Sequence, residues 1–253
     1  DIAGGASFAA STGNINNLGF RNINAGATLP NLGNVANDVT IQFDNTAIDL
    51  PALSIGGDLD VTAGGDITES GDIVVAGSGI FDANGGAADI TLGDTTNADF
   101  ASLNLSGDTV TVTEDSATEL SGVSAGSLNL TSAGTITDTP ATNLDVSGAA
   151  TFDAGANDIT LGDGVEDTTN FGSLSASGGT VTITEDSATD LAGGTTTTLT
   201  LSSAGAITDS GPLSNTGTVT LNADGGAADI TLDEAGNDFS VASVSAGNNV
   251  TLV

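Results

Sequence analysis

Residues 109–120 read TVTVTEDSATEL, and residues 180–191 read TVTITEDSATDL. The second segment is a near-copy of the first and differs from it at two positions, where similar side chains replace each other. Each segment begins with apolar and polar residues in strict alternation, which is the period of a half-buried β-strand and not of a helix. A near-copy further along the chain predicts a protein built from repeats.

Apolar residues two positions apart recur along the whole chain. The clearest pairs are Val39/Ile41, Leu59/Val61, Val110/Val112, Leu128/Leu130, Val181/Ile183, Leu199/Leu201, Val219/Leu221 and Val250/Leu252. With weaker copies included, two short intervals are followed by one long interval, as from Val110 through Leu128 and Ala150 to Val181. If each interval is one turn, the sequence predicts three-turn super-repeats with a period of about 71 residues. Their bounds would be 39–109, 110–180 and 181–253, after a less regular segment, 1–38.

Short alternating strands separated by Gly, Asn, Asp and Ser corners favour a solenoid in which each turn stacks on the next. We therefore predict an all-β protein, one continuous domain over residues 1–253. It would be a single right-handed parallel β-helix of about ten turns, the hand following from the usual crossover rule. In this register Leu50, Leu120 and Leu191 are expected to point into the core.

The charge of the chain limits its partners. There are 33 acidic residues against one basic residue, Arg21, and the net charge is −32. Nothing in such a chain could neutralise phosphates, so we expect no nucleic-acid partner. An anionic membrane surface would repel it, and no apolar segment is long enough to span a bilayer, so we expect no membrane insertion.

Acidic residues also recur with the period of the super-repeat, as at Asp89, Asp158 and Asp229. If that period is three turns, equivalent carboxylates lie about 14 Å apart. This distance exceeds the screening length of about 8–10 Å in ordinary saline. The sequence therefore leads us to expect that the repeat keeps like charges apart.

Two sets of segments resemble filamentous-haemagglutinin-type bacterial surface proteins. One set is the strand–corner–strand texture of residues 59–69, 128–138 and 199–209, and the other is the NDITL…NF phrase of residues 157–171. The resemblance covers residues 35–253. It implies a secreted parallel β-helix, located outside the cell or on the bacterial cell surface, that forms fibres or adhesive stalks.

Catalysis is not expected from this composition. The best candidates for paired catalytic carboxylates are Glu114–Asp115 and Glu185–Asp186. They occur as equivalent copies, which suits a structural unit better than an active site. No His or Lys is present to activate a Ser or Thr nucleophile. We therefore expect no catalytic residues, no bound organic cofactor and no enzyme activity.

Calcium is the remaining candidate ligand. Asp163, Glu166 and Asp167 could place three carboxylates in one corner, and carboxylate oxygens are ligands that calcium prefers. The chain contains neither the GGxGxDxUx repeat nor an EF-hand loop. Two interpretations therefore stay open at this corner, a calcium site and a set of solvated turn residues.

Two classes of function fit a repetitive acidic β-helix. The first is a structural component of an extracellular fibre or stalk whose turns stack head to tail, with self-association end to end. The second is a specific adhesin segment of a large secreted surface protein that binds a glycan or protein on a host or neighbouring cell. A fibre needs only repetition, whereas an adhesin needs a surface that is not repeated.

Overall fold

The computed structural model describes residues 15–25, 28–29, 32, 35, 37–94 and 96–253. The described part of the chain is all-β, with 65% of its residues in strands, and its parallel sheet forms a β-solenoid of about 11 turns. The predicted fold class is therefore confirmed. No helix in the described part of the chain could span a membrane. The chain divides into two compact units, Asp1–Glu119 with Ser124–Gly126, and Leu120–Val123 with Ser127–Val253.

Unit 1 consists of short strands joined at tight corners. Its strands are β1 (Leu18–Asn22), β2 (Val39–Phe43), β3 (Ile48–Leu50), β4 (Leu53–Ile55), β5 (Leu59–Ala63), β6 (Ile67–Glu69), β7 (Ile73–Ala83), β8 (Ile90–Leu92) and β9 (Ala98–Glu114). A 3-10 turn at Asn84–Gly86 separates β7 from β8. The next strand, β10 (Thr118–Ser132), contributes residues to both units.

Parallel pairing between consecutive turns arranges the strands of unit 1 in three columns. The first column contains Val39, Leu59, Gly79 and Leu103; the second contains Ile48, Ile67, Ile90 and Val110; and the third contains Leu53, Ile73 and Ala98. Each residue pairs with the next member of its own column, one turn later. One turn in this unit therefore crosses three faces, each with its own strand.

Unit 2 continues the same local architecture. Its strands are β11 (Ile136–Asp138), β12 (Asn143–Asp153), β13 (Ile159–Leu161), β14 (Thr168–Glu185), β15 (Thr189–Ser203), β16 (Ile207–Asp209), β17 (Leu213–Ala223), β18 (Ile230–Leu232), β19 (Asp238–Ala246) and β20 (Val250–Leu252). A second 3-10 turn lies at Asp224–Gly226. The longest column of this unit contains Ile136, Ile159, Val181, Leu199, Val219 and Ala242.

The pairing register corrects the predicted three-turn period. Val39 and Val110 occupy equivalent positions in the repeat, yet they lie in different columns of unit 1. Three turns carry the chain only from Val39 to Leu103, and Val110 follows on the next face. In unit 2, Ile136 and Ile207 are likewise in different columns. The repeat therefore spans about three and one-third turns, because alternation identifies a strand but not the face on which it lies.

The core of each unit is apolar, and the three leucines that were expected to point inward are buried. Leu50 and Leu120 are fully buried and Leu191 is 2% exposed. The apolar pairs point inward through most of the described chain, but Val250 in β20 is 43% exposed. Burying each such side chain contributes about 1.5–3 kcal/mol, so the columns supply the main stabilisation.

We expect Ile159→Ala to lower the free energy of unfolding by about 2–5 kcal/mol, because it removes a fully buried side chain from a column. Val165→Ala is the matched control, since Val165 is fully exposed and its truncation should change stability by no more than about 0.5 kcal/mol. Urea unfolding of both variants measures the difference. Equal effects of the two substitutions would contradict the observed register.

Candidate functional site

Acidic side chains at the corners accept hydrogen bonds from backbone N–H groups one turn later. The donor–acceptor pairs include Asp58 N to Asp38 (3.1 Å), Ser78 N to Asp58 (2.8 Å), Asp89 N to Asp66 (3.1 Å), Thr109 N to Asp89 (3.0 Å) and Thr180 N to Asp158 (2.8 Å). A backbone N–H is a hydrogen-bond donor that needs an acceptor, and the carboxylate supplies one at each of these positions. Much of the acidity of the chain therefore connects consecutive turns.

The same contacts contradict the expected separation of like charges. Asp38 and Asp58 lie on consecutive turns, because the carboxylate of the first accepts the N–H of the second. Asp66 and Asp89 are related in the same way. Other acids therefore lie on the turns between the equivalent ones, so the repeat does not keep like charges apart.

Glu114 and Asp115 do not form an exposed acidic pair. Glu114 is 1% exposed and its Oε1 accepts a hydrogen bond from the N–H of Phe100 at 2.9 Å. Asp115 accepts one from the N–H of Ala98 at 3.2 Å, and its own N–H donates to the Ala98 carbonyl at 2.9 Å. The two carboxylates therefore accept the N–H groups at the beginning of β9. At this place the following turn contributes a corner, and no strand pairs with these N–H groups.

The second copy of this corner makes the same contacts. Glu185 accepts from the N–H of Phe171 and Asp186 from the N–H of Thr169, both at 2.9 Å. Glu185 also accepts a hydrogen bond from the Thr189 hydroxyl at 2.7 Å. The interpretation that these acidic pairs form a structural unit agrees with this geometry.

The inward position of Glu114 was readable from the sequence. The residues of TVTVTE that face inward are Val110 and Val112, and Glu114 continues the same alternation. Burial raises the pKa of Glu114 to about 7 and also raises the pKa of Glu185. Glu114 Oε2 has no hydrogen-bond partner, so ionising this group inside the core is costly.

We expect the stability of the protein to fall as pH rises through about 7. Folded Glu114 keeps its proton up to about pH 7, whereas a carboxyl in the unfolded chain loses it near pH 4.5, so folding is favoured at low pH and less favoured above pH 7. Glu114→Gln keeps an acceptor for the Phe100 N–H without the charge, and should remove up to about 3 kcal/mol of this dependence.

The measurement is the free energy of unfolding between pH 5 and pH 8.5 for the wild type and Glu114→Gln. Glu119→Gln is the control, because Glu119 is exposed on the adjacent strand. Parallel pH profiles for wild type and Glu114→Gln would show that Glu114 is not a buried proton-binding group.

A second corner type carries one acidic side chain per repeat, which we call the clamp carboxylate. These residues are Glu69, Asp138 and Asp209, each at the end of a three-residue strand. Each accepts a hydrogen bond from the backbone N–H that follows the next ITL strand, at Gly93, Gly162 and Asp233 respectively. The clamp carboxylate therefore joins two consecutive turns in every repeat.

The second repeat differs from the others in what faces this carboxylate. Thr96 donates a hydrogen bond to Glu69 at 2.7 Å, and the Asn237 amide donates to Asp209 at 2.6 Å. The corresponding residue of the second repeat is Asp167, whose carboxylate is held by the N–H groups of Thr142 and Gly164 and cannot donate.

Three carboxylates consequently converge in unit 2. One oxygen from each of Asp138, Asp163 and Asp167 lies within 4.8 Å of the others. The structure brings together Asp163 and Asp167 of the three residues predicted as calcium ligands, whereas Glu166 is exposed and lies outside the cluster. Asp138 was missed because it lies one turn earlier, although its alignment with Glu69 and Asp209 gave the signal.

Electrostatics at the cluster favour the uptake of positive charge. Burial, followed by the nearby charges of Asp167 and Asp163, raises the pKa of Asp138 to about 6. A proton on Asp138 would relieve this repulsion, and a hard divalent cation such as calcium could do the same through three carboxylate oxygens. The occupancy of this corner by calcium stays a prediction.

We expect Asp163→Asn to bring the pKa of Asp138 closer to its ordinary value and to stabilise the calcium-free protein above pH 7. If calcium binds, the same substitution should reduce the rise in melting temperature between EDTA and excess calcium. Asp145→Asn, which removes an exposed carboxylate outside the cluster, is the control. Equal calcium-dependent shifts in the wild type and both variants would rule out the corner as the binding site.

The basic residue Arg21 forms an ion pair at the surface of unit 1. Its guanidinium donates to both carboxylate oxygens of Asp44, with Nη2 2.6 Å from Oδ2. This hydrogen bonding lowers the pKa of Asp44. Arg21 therefore serves as a local counter-ion for Asp44.

A groove of about 400 Å³ lies beside Asp49 and Asp66 in unit 1. Asp66 already accepts the N–H of Asp89, and the described lining of the groove contains no aromatic ring. Stacking of a sugar on an aromatic face is therefore not available from these lining residues.

The fold and its corners define a repeat β-solenoid in which carboxylates connect one turn to the next. A family model described as repeats of unknown function (DUF5649) matches residues 36–105, 107–175 and 178–246, and the chain belongs to this family. The three matches begin at equal spacing, which is the spacing of the two near-identical segments in the sequence. Comparisons with curated proteins and with solved structures found no match. The resemblance to filamentous-haemagglutinin-type proteins stays a prediction.

Proposed function

We propose that the protein is a structural component of an extracellular bacterial fibre or cell-surface stalk, built by stacking β-solenoid turns head to tail. The observation that carries this proposal is the unbroken column of unit 2, in which strands from six consecutive turns pair in parallel from Ile136 to Ala242. Each turn presents the edge on which the next one forms, as in other solenoids.

The acidic corners support a load-bearing role. Pulling two turns apart would break the strand ladder and the hydrogen bonds to carboxylates such as Asp58 and Asp158. Hydrogen bonds to ionised acceptors are stronger than those between neutral groups. The high negative charge would also discourage fibres from clumping side by side, while it leaves end-to-end stacking of turns possible.

The proposed partners follow from the same chemistry. Turns would associate end to end, either along a longer chain or between copies of this one. With 33 acidic residues and a single Arg, nucleic acid is not a partner in this proposal. The protein would not be an enzyme, since the sequence has no His or Cys and the best acidic pairs are engaged with backbone N–H groups.

One corner supports a second candidate function, a specific adhesin segment that binds a glycan or protein on another cell. The segment from Gly162 to Asp167 is longer than its counterparts after Leu92 and Leu232, so it is not repeated. Val165 in this segment is fully exposed and stands beside the carboxylate cluster. An exposed apolar residue within a polar, non-repeated loop is a feature of recognition surfaces.

The test of the fibre is immunogold electron microscopy of the source cells with antibodies against the purified chain. We expect label along extracellular filaments or stalks, and loss of label after protease treatment of intact cells. Label confined to the cytoplasm would contradict the proposal. Binding of the chain to host or neighbouring cells that is abolished by Val165→Asp, with Val74→Asp as an exposed control, would favour the adhesin.

A further inference from the structure

A small cavity lies inside the core of unit 2, between strands β14, β15 and β17. Its volume is about 10 Å³. A cavity needs about 10–15 Å³ to hold one water molecule. Most of its wall is apolar and includes Leu174, Leu191, Leu213 and Val219. Thr196 and Asn215 also line it, although they are only 6% and 4% exposed. The cavity therefore places polar groups within an otherwise apolar core.

The side-chain amide of Asn215 is only partly hydrogen-bonded. Its Nδ2 donates to Oγ1 of Thr196 at 2.9 Å and to the carbonyl oxygen of Thr197 at 3.0 Å. Its Oδ1 is buried and has no hydrogen-bond partner in the described chain. Leaving a buried amide oxygen unpaired is costly, because in water the same atom accepts hydrogen bonds. Asn215 therefore brings an unused acceptor to the cavity wall.

The hydroxyl of Thr196 supplies the complementary donor. Its oxygen accepts from Asn215, so its own hydrogen is available to another acceptor. No charged side chain is among the described residues that line the cavity. Burying an ion there without a counter-charge would be very costly. A neutral molecule of the size of water, which donates once and accepts once, fits both the volume and the wall.

The third repeat, residues 178–246, departs from the other two at this place. Asn215 pairs with Phe239 as Val75 pairs with Phe100, which makes Asn215 and Val75 equivalent. The three positions concerned carry Leu53, Ile55 and Val75 in the first repeat, Val123, Ala125 and Val146 in the second, and Gly194, Thr196 and Asn215 in the third. All six residues of the first two repeats are apolar and buried. Three apolar positions are therefore replaced together, and all three replacements line the cavity.

Gly194 keeps the cavity free of a further side chain. It pairs with Leu213 at the position where Leu53 pairs with Ile73. Its φ is +146°, and a Cβ there would clash with the carbonyl oxygen of Ala176. A side chain such as that of Leu53 is therefore excluded, and nothing larger than a hydrogen enters the cavity from this position.

We propose that this cavity is a binding site for one internal water molecule. The water donates a hydrogen bond to Oδ1 of Asn215 and accepts one from the hydroxyl of Thr196. Together with the bond from Nδ2 to Oγ1, these contacts close a ring of three hydrogen bonds, and bonds in such a network strengthen one another. Since Thr196 lies in β15 and pairs with Asn215 in β17, the water joins two consecutive turns from inside the core.

A crystal structure of the chain tests the assignment directly. We expect one water peak within about 2.5–3.0 Å of both Asn215 Oδ1 and Thr196 Oγ1. Thr196→Val keeps the shape of the side chain and removes the hydroxyl, so the peak should disappear in that variant. An empty cavity in the wild type, or a peak unaffected by Thr196→Val, would overturn the proposal.

Relaxation dispersion of the solvent water counts long-lived internal water molecules in solution. We expect its amplitude to fall by the contribution of one water in Thr196→Val and in Asn215→Val, which introduces the residue of the other two repeats. Asn129→Val is the matched control, since Asn129 is exposed in β10 and its loss should leave the amplitude unchanged.

Circular dichroism verifies that each of these variants is folded. If Asn215→Val does not fold, Thr196→Val decides the test, because it changes only one buried hydroxyl. An equal amplitude in the wild type and in the folded cavity variants would show that no internal water is held between Asn215 and Thr196.

Discussion

Backbone N–H groups near the corners of this solenoid need an acceptor on a neighbouring turn, and this constraint determines much of the structure. Each corner needs an acceptor at a fixed height, one turn away. A carboxylate on a short side chain, such as Asp58 or Asp158, meets that need. Where such an N–H is buried, as at Phe100 and Phe171, leaving it unpaired would cost about 1–3 kcal/mol, and a glutamate accepts it. At the exposed aspartate corners the carboxylate takes the place that water would otherwise fill. The large negative charge follows from this solution repeated over many turns.

Alternation in the sequence was sufficient to predict the fold class and the core. Val110 and Val112 lie inside, as their period of two requires, and so does Leu191. The number of turns per repeat was not predictable, because a strand on one face has the same alternation as a strand on another. The face is fixed only by which strands pair, as Ile90 with Val110, and this pairing is a long-range property that the local pattern does not contain.

The candidate cation site at Asp138, Asp163 and Asp167 was likewise predictable from the sequence only in part. Sequence proximity suggested Asp163, Glu166 and Asp167, and the structure places Asp163 beside Asp167 while the side chain of Glu166 faces solvent. Asp138 is distant from Asp163 in the sequence, and only the stacking of turns brings them together. The comparison of repeats is more informative than proximity here. Two repeats place a hydrogen-bond donor beside the clamp carboxylate and one places another carboxylate there, which makes that corner chemically distinct.

The fractional number of turns in the repeat has a consequence for recognition. Within each unit, a repeat begins one face further around the solenoid than the repeat before it. Val39 and Val110 illustrate this step in unit 1, and Ile136 and Ile207 illustrate it in unit 2. A partner that recognised one strand on one face of a unit would therefore find the equivalent strand of the next repeat on a different face.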